Sequence, residues 1–232
     1  IKINTKSNKP IDSFELMAGL DKPPFIIEDD SSGIELDIFR AVFAHANIDV
    51  RFIHVPFGRT VTNFKRLNAD GILTVLPDYQ HPSLFVSKPY ITYQNVAVSL
   101  LDNQFEIDNI ASLSGKSMIA FQNARKYLGE DFNKVISSAM NYREVAAQTK
   151  QIDMLFLRRT EVIILDINIF KYFLKVNKTG RYEQPFKIHY IFNKRPYSAA
   201  FKSESNRNLF DLGIKELKEQ GRYQLIMDKY IK

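Results

Sequence analysis

Two periods of apolar and polar residues alternate along the first third of the chain. Residues 11–18 alternate as a strand that enters the core beside Phe25. In residues 20–39, LDKPPFIIEDDSSGIELDIF, Pro23 and Pro24 impose an extended approach, because each fixes φ and Pro24 turns its predecessor away from helix. Phe25, Ile26 and Ile27 then read as a short buried strand, and Asp29 to Gly33 as a polar turn. Ile34, Ile38 and Val42 recur at helical spacing, with Glu35 and Asp37 in the first turn, where the helix dipole favours anions. The helix ends near Ala46–Asn47.

Residues 50–55 are rich in β-branched and aromatic side chains and form a second strand, broken by Pro56, Phe57 and Gly58. A helix follows with Val61, Phe64 and Leu67 on one face, then an Asp70–Gly71 turn and a third strand over residues 72–76. This βαβαβ order implies a parallel sheet covered by helices on both faces, and such sheets bind ligands at the carboxyl ends of their strands.

Further along, residues 77–87 read as a loop. Residues 122–125 form a loop that feeds a helix N-terminus. Residues 142–159 fit an amphipathic helix, 161–165 a strand ending at Asp166, and Phe170 to Leu174 the start of another helix. Residues 177–185 are polar, with a turn at Thr179–Gly180, and residues 187–192 alternate as a strand. A helix over residues 206–220 carries Leu209, Leu212, Ile214 and Leu217 and is capped by Gly221.

Composition narrows the classes. The chain has 232 residues, 45 % of them hydrophobic, enough for one large domain or two smaller lobes. With no cysteine, disulfides and thiolate metal sites are excluded. No apolar run reaches the length of a membrane span. The first ten residues, IKINTKSNKP, lack the apolar core of a secretion signal, so an exported protein would have lost its signal ahead of residue 1. The net charge of +6 comes without Lys/Arg runs interleaved with aromatics, so no nucleic-acid partner is expected. His45, His54, His81 and His189 show no metal-binding spacing, and there is no G-x-S-x-G or phosphate loop. The pairs Asp29–Asp30 and Glu130–Asp131 are accounted for by a turn and a solvated helix start. No cofactor and no catalysis are expected.

Several phrases resemble the type 2 periplasmic solute-binding proteins, in particular the polar amino-acid-binding family (solute-binding family 3) of ABC uptake systems. They are "PPF" followed by an acidic turn and "GIELDI", "SKPYITYQNVAVSLL", "LSGK", "PYSAAF" and the ending "GRYQLIMDKYI", in the family's order from about Ile11 to Ile231. The resemblance implies an α/β, two-lobe fold with two hinge crossings near residues 93–100 and 187–194, a turn at residues 113–116 ahead of a strand over 117–121, and a strand over 196–201. Lobe one would comprise residues 1–95 and 193–232, and lobe two residues 96–192. It also implies a monomer in the periplasm that closes over a small polar solute and delivers it to an ABC permease. The alternatives are an extracellular sensor domain of a signalling protein, and a dehydratase-like enzyme.

The same resemblance nominates site residues. Asp166, at a strand end, stands where the family holds the solute's ammonium group; its plain alternative is capping the next helix. Phe57 falls where the family has a site aromatic, or simply packs in the core, and Arg59 either reaches an anionic group or is a solvated helix residue. The family's carboxylate-binding Arg is missing from the loop PDYQHPS, where Gln80 stands in its place, so Arg59 or Arg125 substitutes for it or the solute differs. Lys22 replaces an aromatic wall, and the small loop after the first strand of lobe two becomes a bulkier FQNAR containing Asn123 and Arg125. Lys22, Arg59 and Arg125 together would suit an anionic solute; the alternative is three surface cations. Thr74 and Tyr79 are further candidates for polar contacts. Tyr90 and Tyr93 flank the crossing and either line the hinge or pack in the core, packing being the better account.

Overall fold

The computed structural model describes residues 14–55, 64 and 68–232. In chain order its elements are β1 (Phe14–Ala18), α1 (Ile34–Ala44), β2 (Val50–His54), β3 (Gly71–Val75), β4 (Phe85–Val86), β5 (Ile91–Tyr93), β6 (Asn95–Leu100) and β7 (Ser117–Phe121). There follow α2 (Ala124–Tyr127), α3 (Glu130–Ile136), β8 (Asn141–Val145), α4 (Gln148–Phe156), β9 (Val162–Asp166), α5 (Ile167–Val176), β10 (Phe186–His189), β11 (Arg195–Phe201), α6 (Glu204–Glu219) and α7 (Arg222–Ile231). They group into two compact units, residues 1–91 with 196–230, and residues 92–195 with 231–232.

The first unit is built on a sheet of order β2-β1-β3-β11-β4, with β5 alongside β11. β1 pairs in parallel with β2 and β3, as the alternation of βα units requires, whereas β11 returns antiparallel to β3 and β4. The core over this sheet is largely aromatic. Phe39 packs 4.5 Å from Phe210 and edge-on to Tyr90 at 5.2 Å, and Phe43 and Phe201 complete the cluster. Rings of this size bury most apolar area per residue, and tilted or edge-on geometry is their favoured contact. The second unit is a sheet of order β10-β6-β9-β7-β8, with β7, β8 and β9 parallel and β6 antiparallel to both β9 and β10. One cluster in its core brings Phe132 and Ile136 of α3 onto Met118 and Ala120 of β7 and Ile164 of β9.

Three sequence expectations are corrected. Residues 25–27 are not a strand: Lys22 bridges Ile26 and Ile27 bridges Ser32, so the segment doubles back in two tight turns. The Pro23–Pro24 bond is cis, and the backbone curls where extension was expected. Residues 142–159 are not one helix; they divide into β8 and α4. Tyr142 and Glu144 share one face of β8 and Arg143 the other, a period of two hidden by the helical spacing of Ile152 and Leu155. Beyond these three, residues 222–231 form a helix, α7, after the Gly221 break.

The start of α1 is fastened from three directions. Gly33 sits at φ 122°, and a Cβ there would lie 2.5 Å from the carbonyl oxygen of Phe25. Its N–H donates to the Tyr230 hydroxyl at 2.9 Å, and that hydroxyl donates to Asp37 at 2.6 Å. Lys229 adds an ion pair to Asp37 at 2.7 Å. A substitution Gly33→Ala combines left-handed strain with a backbone clash and should cost about 1–3 kcal/mol. Urea unfolding monitored by circular dichroism reads this as a lower midpoint at unchanged slope; an unchanged midpoint would show that the turn before α1 relaxes freely.

Candidate functional site

In the first unit the polar groups gather at the carboxyl ends of β1 and β3. Glu35, in the first turn of α1, is fully buried, and its Oε2 accepts from the Thr74 hydroxyl at 2.7 Å and from the Tyr90 hydroxyl. The backbone carbonyl of Tyr90 accepts in turn from the Tyr223 hydroxyl at 2.8 Å. Thr74 holds φ 58°, a left-handed conformation that is an outlier for a β-branched side chain. Its strain is retained beside the buried carboxylate, and the register between β3 and β11 shifts at the same place. Burial first, and the adjacent Glu35 charge second, push the Tyr90 phenol well above its ordinary range. Burial and the same charge raise Tyr223 to about 12.

Lys22 lies with its ammonium 5.9 Å from the Phe25 ring centre. Tyr79 stacks on His81 with ring centres 6.5 Å apart, and its hydroxyl is buried with no hydrogen-bond partner among the described residues. Phe57 and Arg59 lie outside the described residues.

In the second unit, the register of β7 against β9 (Met118 with Val162, Ala120 with Ile164) carries residues 122–125 and Asp166 to the same end of the sheet. Asp166 is almost wholly buried. Its Oδ1 accepts from the N–H groups of Asn168 and Ile169, capping α5, and its Oδ2 accepts from the Gln94 N–H at 2.7 Å. It therefore fixes the start of α5 and the approach to β6 together.

Residues 122–125, a turn at Gln122–Asn123 followed at once by the start of α2, have an acidic partner that sequence reasoning missed. Glu144 accepts from the Asn123 N–H at 2.8 Å, the Arg125 N–H at 2.9 Å and the Tyr142 hydroxyl at 2.8 Å. Asn123 takes φ 65° to aim its N–H this way, and the Arg125 guanidinium lies over the Tyr142 ring at 5.1 Å. Partial burial pushes the Glu144 carboxyl upward, but the two N–H groups and the phenol outweigh it and hold the acid below its usual range. Tyr142 is driven the other way, by burial first and then by its bond to Glu144. The Arg125 guanidinium thus lies against the Tyr142 ring, and the nearby Glu144 charge adds a minor favourable interaction. The signal that could have found Glu144 is the NYREV alternation. For Glu35 it is the run of apolar neighbours, Ile34, Leu36, Ile38 and Phe39, which leaves the first turn of α1 no exposed side.

These strand ends and this pair of mixed sheets define the two-lobe type 2 periplasmic-binding fold. The sequence profile of the bacterial extracellular solute-binding proteins, family 3, matches residues 16–232, and the chain belongs to that family. No curated protein sequence matches it. Among solved structures it is similar to an ancestral cationic amino acid solute-binding protein, at 16 % identity and a TM-score of 0.75, covering 95 % of this chain and 96 % of that one. It is also similar to the GluR0 ligand-binding core in complex with L-glutamate, at 15 % identity and a TM-score of 0.71, covering 95 % and 98 %. A third similar structure is a polar amino acid ABC uptake transporter substrate-binding protein from Streptococcus thermophilus, at 19 % identity and a TM-score of 0.69, covering 94 % and 86 %. At these identities the likeness is one of fold.

The Glu35–Thr74–Tyr90 link has a pH signature. A phenol raised in the folded state stays protonated while its unfolded counterpart ionises near pH 10, so its contribution is complete below pH 10 and is lost as pH rises toward the folded value. Tyr90→Phe should lower stability at pH 7 by about 1–3 kcal/mol, because a buried acceptor loses its donor. It should also flatten the decline above pH 10. Urea midpoints of both proteins between pH 7 and 11 test this; parallel profiles would mean that Tyr90 is not held protonated by the fold.

Proposed function

We propose that this chain captures a small polar solute, an amino acid or a related compound, in the periplasm and hands it to an ABC permease. The observation that carries the reading is the family match over residues 16–232, together with the convergence of Asp166, Asn123, Arg125 and Glu144 at one end of the sheet in the second unit. Parallel sheets hold ligands at that end. The work is binding without catalysis: solute shifts an equilibrium between conformations, and a monomer suffices for it.

Asp166 is assigned two tasks, capping α5 and drawing a cationic group of the solute. The two carboxylates at this end of the sheet, Asp166 and Glu144, favour a solute with a positive or zwitterionic group over a purely anionic one. A second reading is compatible with the likeness in fold to the GluR0 ligand-binding core in complex with L-glutamate. In that case the chain senses its solute for a signalling protein.

A thermal-shift screen against amino acids, polyamines, dicarboxylates and short peptides tests the proposal. A ligand at about a hundred times its Kd adds roughly 2.7 kcal/mol, which for a chain of this size raises Tm by roughly 5–10 °C. Asp166→Asn keeps a side-chain acceptor for the cap and removes the charge. It should fold with a modest loss of Tm and lose at least tenfold in affinity for an amine-bearing solute measured by calorimetry. Full affinity in the variant would confine Asp166 to its capping task, and a panel without any shift would count against solute capture.

A further inference from the structure

The second unit carries a groove that the solute-binding reading leaves unused. It lies on the α4 face of the sheet beside β8 and has a volume of about 340 Å³. Its floor is apolar, formed by Ile119, Val145 and Met154, with Leu157, 49 % exposed, at its margin. Arg143, Lys150 and Arg159 line it, all three exposed. Among the described residues their side chains form no ion pair, whereas the neighbouring Arg158 and Arg181 are paired with Asp102 and Asp153. Asp153 is the groove's one acid, and it already accepts from both Arg181 and the Tyr182 hydroxyl. Three uncompensated cations therefore surround an apolar floor.

β8 adds a direction to this charge. It ends the sheet order β10-β6-β9-β7-β8, so among the described residues its outer edge has no neighbouring strand. An unpaired edge offers main-chain donors and acceptors to an extended chain, and alternate side chains of that chain then fall on one face of the sheet. Here that face is the groove, because Arg143 and Val145 both point to it. Charge, apolar depth and edge are satisfied together by one kind of occupant. We propose that the groove beside β8 receives an extended acidic segment of a partner protein, with its apolar residues at alternate positions seated on the floor. The positive rim selects the acidic segment by electrostatic complementarity, which acts chiefly on association rate and specificity. Each cation that is compensated should also make binding more sensitive to salt.

The test uses the whole chain and a fluorescein-labelled peptide of four Glu-Leu repeats, read by fluorescence anisotropy, with four Lys-Leu repeats and octaglutamate as comparisons. The Glu-Leu peptide should bind saturably, octaglutamate at least fivefold more weakly, and the Lys-Leu peptide not at all. Raising sodium chloride from 50 to 300 mM should weaken binding severalfold. The double variant Arg143→Glu/Lys150→Glu should lose at least tenfold, as should Leu157→Glu. All these positions are exposed, and each variant is first checked for an unchanged Tm. Solute-induced thermal shifts should persist in both variants, which separates failure here from failure of solute capture. No saturable binding of the Glu-Leu peptide, or equal binding by the charge-reversed chain, would overturn the proposal. Displacement of the peptide by decanoate at an equal Kd would overturn it in favour of a small anionic amphiphile.

Discussion

A carboxylate without contact with water holds the first unit together. Glu35 is fully buried at the start of α1, and two hydroxyls from separate parts of the chain donate to it: Thr74 at the end of β3 and Tyr90 just before β5. Burying a charge is costly unless hydrogen bonds replace those it made to water. Each partner is therefore constrained in turn. Thr74 is kept in a left-handed conformation, Tyr90 is kept protonated among Phe39 and Phe210, and Tyr223 ties α7 to the same point. An apolar pair at these positions would pack without specifying which loop meets which helix. A shared proton acceptor specifies it through distance and direction.

The second unit uses the same device with backbone donors. Asp166 gathers three N–H groups, and Glu144 gathers two with a phenol. Both acids stand at strand ends, where orphan helix N–H groups otherwise face solvent. The polar end of this sheet is thus ordered by the chain's own carboxylates. Its cation Arg125 is held over Tyr142 rather than extended.

Much of the fold was legible because its strands are short, apolar and bounded by turn residues. β7 and the Asp166 terminus of β9 fall where periodicity and the family phrases place them. The failures share a cause. In residues 25–27 an apolar triplet is buried by doubling back, which periodicity cannot distinguish from burial in a sheet. In residues 142–159 two periods abut without a Gly or Pro between them, so the longer one absorbed the shorter. Missing β8 concealed Glu144, which binds the Arg125 main chain, and the role of Tyr142 as the ring under its guanidinium. A lone residue type says what chemistry is available, while its partner decides whether that chemistry remains free.

The position of β11 has a consequence for how the protein is made. This strand lies between β3 and β4, and the helices after it supply Phe210 to the aromatic core and Tyr230 to the start of α1. The second unit has all its strands by His189, whereas the first, begun earlier, lacks an interior strand until residue 201 has been synthesised. On a chain that emerges from one end, the inserted unit can fold whole while the one that encloses it waits with the edge of β3 bare. Bare edges pair with whatever strand is near. The last sixth or so of the sequence is thus a closure, and the interval before it arrives is when the chain most needs protection from its own neighbours.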